Sequence, residues 1–195
     1  MGRRRVCVRK PYVTLVIFLL CYLFLVFPLS SYGRKASITD IVVTDSADYI
    51  TVYARLANSF TKKMDSAILA GVPITFTFFI DLYHERSQWF DEKVSRVVVK
   101  QTIKYDNLKK LFYVSLMDGR TESEFQDFDG AKKAMAELNG IALVPLKDLH
   151  KDTLYYVMIK AKLDSRQLPM YMEYILFIVS LWDFETDWHR QNLVL

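Results

Sequence analysis

The sequence predicts a mainly β protein: an antiparallel β-sandwich of about seven or eight strands with two short helices, preceded by one N-terminal transmembrane helix. Three observations lead there. Apolar and polar residues alternate through the long segments beyond residue 36, two short stretches carry helix-capping residues, and an uncharged run of eighteen residues follows a cluster of arginines near the start.

The first element is that run, "YVTLVIFLLCYLFLVFPL", from Tyr12 to Leu29. As a helix rising about 1.5 Å per residue it covers most of a hydrocarbon core about 30 Å thick. Arg3, Arg4, Arg5, Arg9 and Lys10 precede it without an acid, so the positive-inside rule keeps the N-terminus in the cytoplasm and sends the rest across. The expected organisation is a basic cytoplasmic tail over 1–11, a transmembrane signal anchor over 12–31 and an extracytoplasmic domain over 36–195. That places the chain in the inner (plasma) membrane as a single-pass protein with a periplasmic domain. The alternative is a signal peptide cut near Ser31 and Gly33, but the run exceeds the roughly 7–15 residues of a usual signal core. "MGRRRV" lacks the Ser or Thr of a myristoylation site and "FLLC" lacks the small residue of a lipoprotein site, so neither lipid is expected.

Strands follow. In "VPITFTFFIDLY" the residues Val72, Ile74, Phe76, Phe78, Ile80 and Leu82 share one face, the period-2 signature of a half-buried strand. "YITVYARLA" turns Ile50, Val52, Ala54 and Leu56 inward, and "TLYYVMIKAKLD" does the same with Tyr155, Val157, Ile159, Ala161 and Leu163. "VSRVVVKQTIKY" sets Val97, Val99, Ile103 and Tyr105 against Arg96, Lys100 and Lys104. One apolar and one wet face, repeated, favours antiparallel strands around a shared core. Asp118 and Gly119 read as a hairpin turn, and "TDSAD" over 44–48 separates the first two strands.

Two helices interrupt them. "TKKMDSAILAG" offers Thr61 as N-cap, Met64 and Ile68 as a buried pair, and Gly71 as the stop before Pro73. "DFDGAKKAMAELNG" offers Asp127 as N-cap, with Ala131, Met135 and Leu138 on one side and Asn139 with Gly140 as the end.

Composition excludes several chemistries. The net charge of +4 is local, since the 21 basic and 22 acidic residues beyond residue 33 leave −1, so no nucleic-acid partner is expected. Cys7 and Cys21 both precede the domain, which therefore has no disulfide, thiol nucleophile or Cys-ligated zinc. "QDFDG" falls short of a calcium loop, because Leu138 stands where the bidentate Glu belongs; capping by Asp127, with Asp129 near the helix dipole, explains it. His84, His150 and His189 fit no metal-ligand spacing, and six scattered glycines form no phosphate loop. No cofactor is expected. Arg96, Lys100 and Lys104, continued by Lys109 and Lys110, form a basic strip, read as a solvated strand face or as a contact for anionic lipid headgroups or a partner.

The last segment, "MYMEYILFIVSLWDFETDW" over 170–188, has only nine uncharged residues from Tyr174 to Trp182, all but Ser180 apolar, about 13 Å of helix and too short for a second crossing. It reads as a buried final strand or as a short helix covering a sheet edge. Its candidate interaction surface is Ile175, Phe177, Leu181, Trp182, Asp183, Asp187 and Trp188.

The order of these signals, an anchor, a hairpin, "LAGVP", "QWFDEKV", "IKYDNLKKLFYV", a short helix, "KLDSRQLP" and "WDFETDW", resembles a bacterial envelope family, domain of unknown function 4390. The resemblance runs from about Ala36 to Arg190. It rests on Gly71 with Pro73, Tyr105 with Asp106, Leu163, Asp164, Leu168, Pro169, and Trp182, Asp183, Thr186, Asp187 and Trp188. "YILFIVSL" is longer and oilier than the family's general pattern. The resemblance implies a signalling accessory of nitrogen-regulation-type membrane sensor kinases. The expected function is thus a non-catalytic, membrane-anchored envelope module for protein interaction or accessory signalling, with a membrane or periplasmic protein as partner. A lipid or envelope-component carrier is the alternative, and a hydrolase built on Asp164, Asp183 or Asp187 a distant third.

Overall fold

Residues 35–46, 48–116, 121–150, 153–164 and 184–193 are described by the computed structural model. They hold nine strands and two α-helices. In chain order these are β1 (Ser37–Ser46), β2 (Tyr49–Ala57), α1 (Lys62–Leu69), β3 (Ile74–His84), β4 (Glu92–Asp106), β5 (Leu111–Leu116), β6 (Thr121–Phe125), α2 (Phe128–Ala136), β7 (Glu137–Pro145), β8 (Tyr155–Leu163) and β9 (His189–Leu193). Every pairing is antiparallel, in a three-stranded sheet β1-β2-β7 and a six-stranded sheet β6-β5-β4-β3-β8-β9. The antiparallel β class and both helices agree with the sequence, while the strand count among the described residues exceeds the seven or eight expected. The expected anchor over 12–31 and most of the segment 170–188 lie outside the described residues.

Alternation explains the core. Phe76, Phe78, Ile80 and Leu82 on β3 are buried together with Val99 and Ile103 on β4 and Val157, Ile159 and Ala161 on β8. Ile50, Val52 and Leu56 from the smaller sheet join the same cluster, as do Met64 and Ile68 of α1 and Ala131 and Met135 of α2. Each large side chain moved fully out of water contributes about 1.5–3 kcal/mol, so this shared interior holds the two sheets together.

Helix α1 begins where Thr61 accepts a hydrogen bond from the Met64 amide at 3.2 Å. It ends in a Schellman arrangement, with Gly71 N–H donating to Ile68 O at 2.8 Å and Val72 N–H to Ala67 O at 3.0 Å. Gly71 takes φ +85°, the left-handed conformation expected of it.

Helix α2 starts at Asp127, whose carboxylate accepts from the Gly130 amide at 2.7 Å, but it is shorter than the sequence suggests. It stops at Ala136 and Glu137 turns directly into strand β7. Leu138, expected on the helix, is a buried strand residue paired with Ala54, and Gly140, at φ +69°, lies within β7 where the register to β2 shifts. Pairing with β2 outweighs the helical pattern here because it carries Leu138, Ile141 and Leu143 into the shared core.

Register fixes two ends of the domain. At the first end lie the start of β3, the end of β8 and the β4–β5 turn, since Ile74 pairs with Ile103 and Phe76 with Leu163. The start of β1 belongs there too: Ser37 pairs with Ala57, and nearby Phe60 packs its ring 5.3 Å from that of Phe76. At the second end His84 pairs with Glu92 and Tyr155, and Tyr155 with Leu193. The eleven residues of β3 separate the two ends by roughly 35 Å.

Candidate interaction surface

The basic strip divides on folding. Arg96 lies opposite Asp81 on β3 and donates two hydrogen bonds to it, Nε and Nη2 each at 2.6 Å. Lys93 adds a third contact at 2.8 Å. Asp81 is only 1% exposed. Burial works against its charge, but the hydrogen bonds from Arg96 and Lys93 outweigh that and hold its carboxyl below the usual range. Lys100 lies 3.4 Å from Asp164, while Lys104 is exposed. Arg96 and Lys100 are therefore internal partners of acids, and Lys104 belongs instead with Lys109 and Lys110 at the first end.

Of the C-terminal candidates, Ile175, Phe177, Leu181, Trp182 and Asp183 lie outside the described residues. Asp187 and Trp188 are described and exposed. Lys35 sits 2.9 Å from Asp187 and lowers its pKa by hydrogen bonding. Lys160 lies over the Trp188 ring at 5.4 Å and pairs with Glu185. Thr186 is buried: its hydroxyl accepts from the Ala161 amide at 3.0 Å, and its own amide donates to Ala161 O at 2.9 Å. Phe184 O accepts from the Leu163 amide, and its ring stacks on Phe76 at 5.3 Å. Residues 184–188 are thus tied to β8, with Glu185, Asp187 and Trp188 facing water.

A stronger surface was missed by the sequence reading. The β3–β4 loop carries Trp89 at 75% and Phe90 at 86% exposure, with their rings edge to face at 6.3 Å. Beneath them the loop is pinned. Asp91 accepts from the Arg86 amide at 3.1 Å and from the Tyr156 hydroxyl at 2.6 Å. Tyr156 stacks on Tyr83 at 5.2 Å, and the Arg190 guanidinium lies 3.8 Å from the Tyr156 ring centroid. Burial, then the bond to Asp91, pushes the Tyr156 hydroxyl pKa up to about 12, so it remains a donor at any physiological pH. Glu85 donates its amide to Leu154 O at 2.8 Å and pairs with Arg190. Two adjacent aromatics in a short polar loop, "ERSQWFD", were the available signal: neighbouring side chains diverge, and no core lies beyond the end of a sheet.

Of the histidines, His84 packs against Tyr155, His150 donates its amide to the Tyr155 hydroxyl at 3.1 Å, and His189 Nδ1 lies 3.0 Å from Asp187 O. Among the described residues no three His, Cys, Asp or Glu side chains gather as metal ligands.

A family model for the domain of unknown function DUF4390 matches residues 33–192. The chain belongs to this family. No curated protein and no solved structure matched it. This DUF4390 domain therefore shows its candidate surfaces through its own geometry: a pinned aromatic tip at the second end, and a lysine-rich turn at the first. Among the described residues no helix is long and apolar enough to cross a membrane.

Proposed function

We propose that this DUF4390 protein is a non-catalytic, membrane-anchored envelope module. It is tethered by residues 12–31 with its domain in the periplasm, and it contacts a partner protein through the Trp89–Phe90 tip. The observation that carries the reading is the exposure of two adjacent aromatics on a loop whose base is held by Asp91, Arg86 and Tyr156. Such a rigid aromatic pair costs little ordering entropy on docking, and tryptophan is enriched among residues that dominate binding energy. Its opposite charges are matched locally, Arg86 with Glu92 and Arg190 with Glu85, which suits a protein groove. A membrane sensor kinase is the partner class that the resemblance favours. Large, fully buried side chains such as Phe76, Phe78 and Met135 between the sheets favour contact over cargo.

Chemical crosslinking in intact cells tests this. The Trp89→Ser, Phe90→Ser chain should melt within about 0.5 kcal/mol of the natural one, because both side chains are exposed, and should lose its crosslinked partner band at least tenfold. A band that persists at full strength rejects the tip as the contact.

A further inference from the structure

We propose that the first end of the domain is a docking surface for anionic phospholipid, with Leu108 and Leu69 entering the headgroup layer and Lys104, Lys109 and Lys110 pairing with phosphates. Leu108 is 95% exposed and Leu69 46%. A single exposed leucine is ordinary, but these two lie on neighbouring turns. Gly71, two residues after Leu69, faces Asn107 so closely that a Cβ on it would lie 3.2 Å from Asn107 Nδ2.

The turn that displays Leu108 is rigid. Asp106 Oδ1 accepts from the Leu108 amide at 2.8 Å and the Lys109 amide at 3.0 Å, and Asp106 O accepts from the Lys110 amide at 2.8 Å. Lys110 takes φ +57° to close it. Asp106 is thereby occupied with its own backbone, and the other acids nearby have cations: Asp65 meets Lys132 at 3.5 Å and Asp164 meets Lys100 at 3.4 Å. Glu124 beside Tyr113 is the remaining acid near Lys109. Lys104, Lys109 and Lys110 are all exposed.

Chain continuity selects lipid as the occupant. Lys35 enters the domain at this end, and the six Cα–Cα steps from Leu29 to Lys35 reach at most about 20 Å. Asp164 and Phe184, the described residues on either side of the apolar stretch over 174–182, are bonded to this end through Asp164 N–H to Thr75 O and Leu163 N–H to Phe184 O. A tether embedded over 12–31 keeps Lys35, and the end of the domain that it enters, within reach of the bilayer. In this respect the inference rests on the anchor of the proposed function. Each lysine near an anionic surface favours docking about fivefold, three together about a hundredfold, and salt weakens the effect.

The test uses the full chain with Cys7→Ser and Cys21→Ser, reconstituted into vesicles of phosphatidylcholine with or without phosphatidylglycerol. An environment-sensitive dye is attached at Leu108→Cys, or at Phe90→Cys as the comparison. Quenchers carried in the lipid headgroup region should dim the dye at position 108 when phosphatidylglycerol is present and leave position 90 unaffected. Lys104→Gln, Lys109→Gln, Lys110→Gln should abolish that quenching, and so should high salt. Retention in the vesicles after alkaline carbonate reports the anchor separately. Retention without quenching at 108 overturns the docking surface and leaves the anchor standing; quenching with carbonate release does the reverse. Equal quenching with and without phosphatidylglycerol, or quenching at 90 alone, also overturns the proposal.

Discussion

Replacing Gly71 isolates a single backbone requirement. Its φ of +85° closes the Schellman turn that hands α1 over to β3, and an L side chain in this region costs about 1–2 kcal/mol. The added Cβ would meet Asn107 Nδ2 at 3.2 Å, the end of a side chain that can swing aside, and Tyr105 O at 3.7 Å, an ordinary contact. Strain therefore dominates over collision for alanine. The stiffer unfolded chain returns about 0.4–1 kcal/mol, so Gly71→Ala should lose roughly 1 kcal/mol. Gly71→Val adds methyl groups that must pass between Tyr105 O and Asn107, for a loss of roughly 2 kcal/mol. At about 2–4 °C per kcal/mol for a domain of this size, the melting temperature should fall by roughly 2–4 °C for alanine and 4–8 °C for valine. Gly71→Asn should fall least, since asparagine tolerates the left-handed region. Thermal melts followed by near-ultraviolet circular dichroism give the ranking. Alanine and valine melting within a degree of the natural chain, or asparagine melting below alanine, refutes the reasoning.

Two further outcomes concern charge and topology. Asp81→Asn should lower stability by about 1–3 kcal/mol at pH 7, leaving Arg96 and Lys93 to be resolvated by water they already partly reach. The Asp81 pKa is depressed on folding, so its contribution is present above the ordinary carboxylate range and fades as pH falls through the lower folded value; urea titrations should show the gap from the natural chain shrinking as the pH is taken below the ordinary carboxylate range, and a constant gap would falsify the charge as its source. For topology, a reporter active only outside the cytoplasm and fused after Leu195 should be active, given five cations before the apolar run and no acid among them. An inactive fusion would mean that 174–182 crosses the membrane as well.

The sequence by itself determined which residues of each strand face inward. Phe76, Phe78 and Ile80, or Val157, Ile159 and Ala161, are assigned by alternation alone, because successive side chains of a strand point to opposite faces whatever their partners are. Caps are equally local, and Thr61, Gly71 and Asp127 act within their own turns. Tertiary structure decided the rest. "AELNGIALVP" continues a helical pattern, and only the presence of β2 beside it makes Leu138 a strand residue and Gly140 a bend. Arg96, Lys100 and Lys104 share a face by spacing, yet the register that sets Asp81 against Arg96, and the pairing that brings Asp164 beside Thr75 within reach of Lys100, make two of them partners of acids. Lys35, Leu69, Leu108, Asp164 and Phe184 are far apart in sequence and gather at one end only because the order and direction of the strands bring them there. Face is a property of the chain's own geometry; neighbourhood depends on which strands pair, and that is settled by burying both sheets against one core.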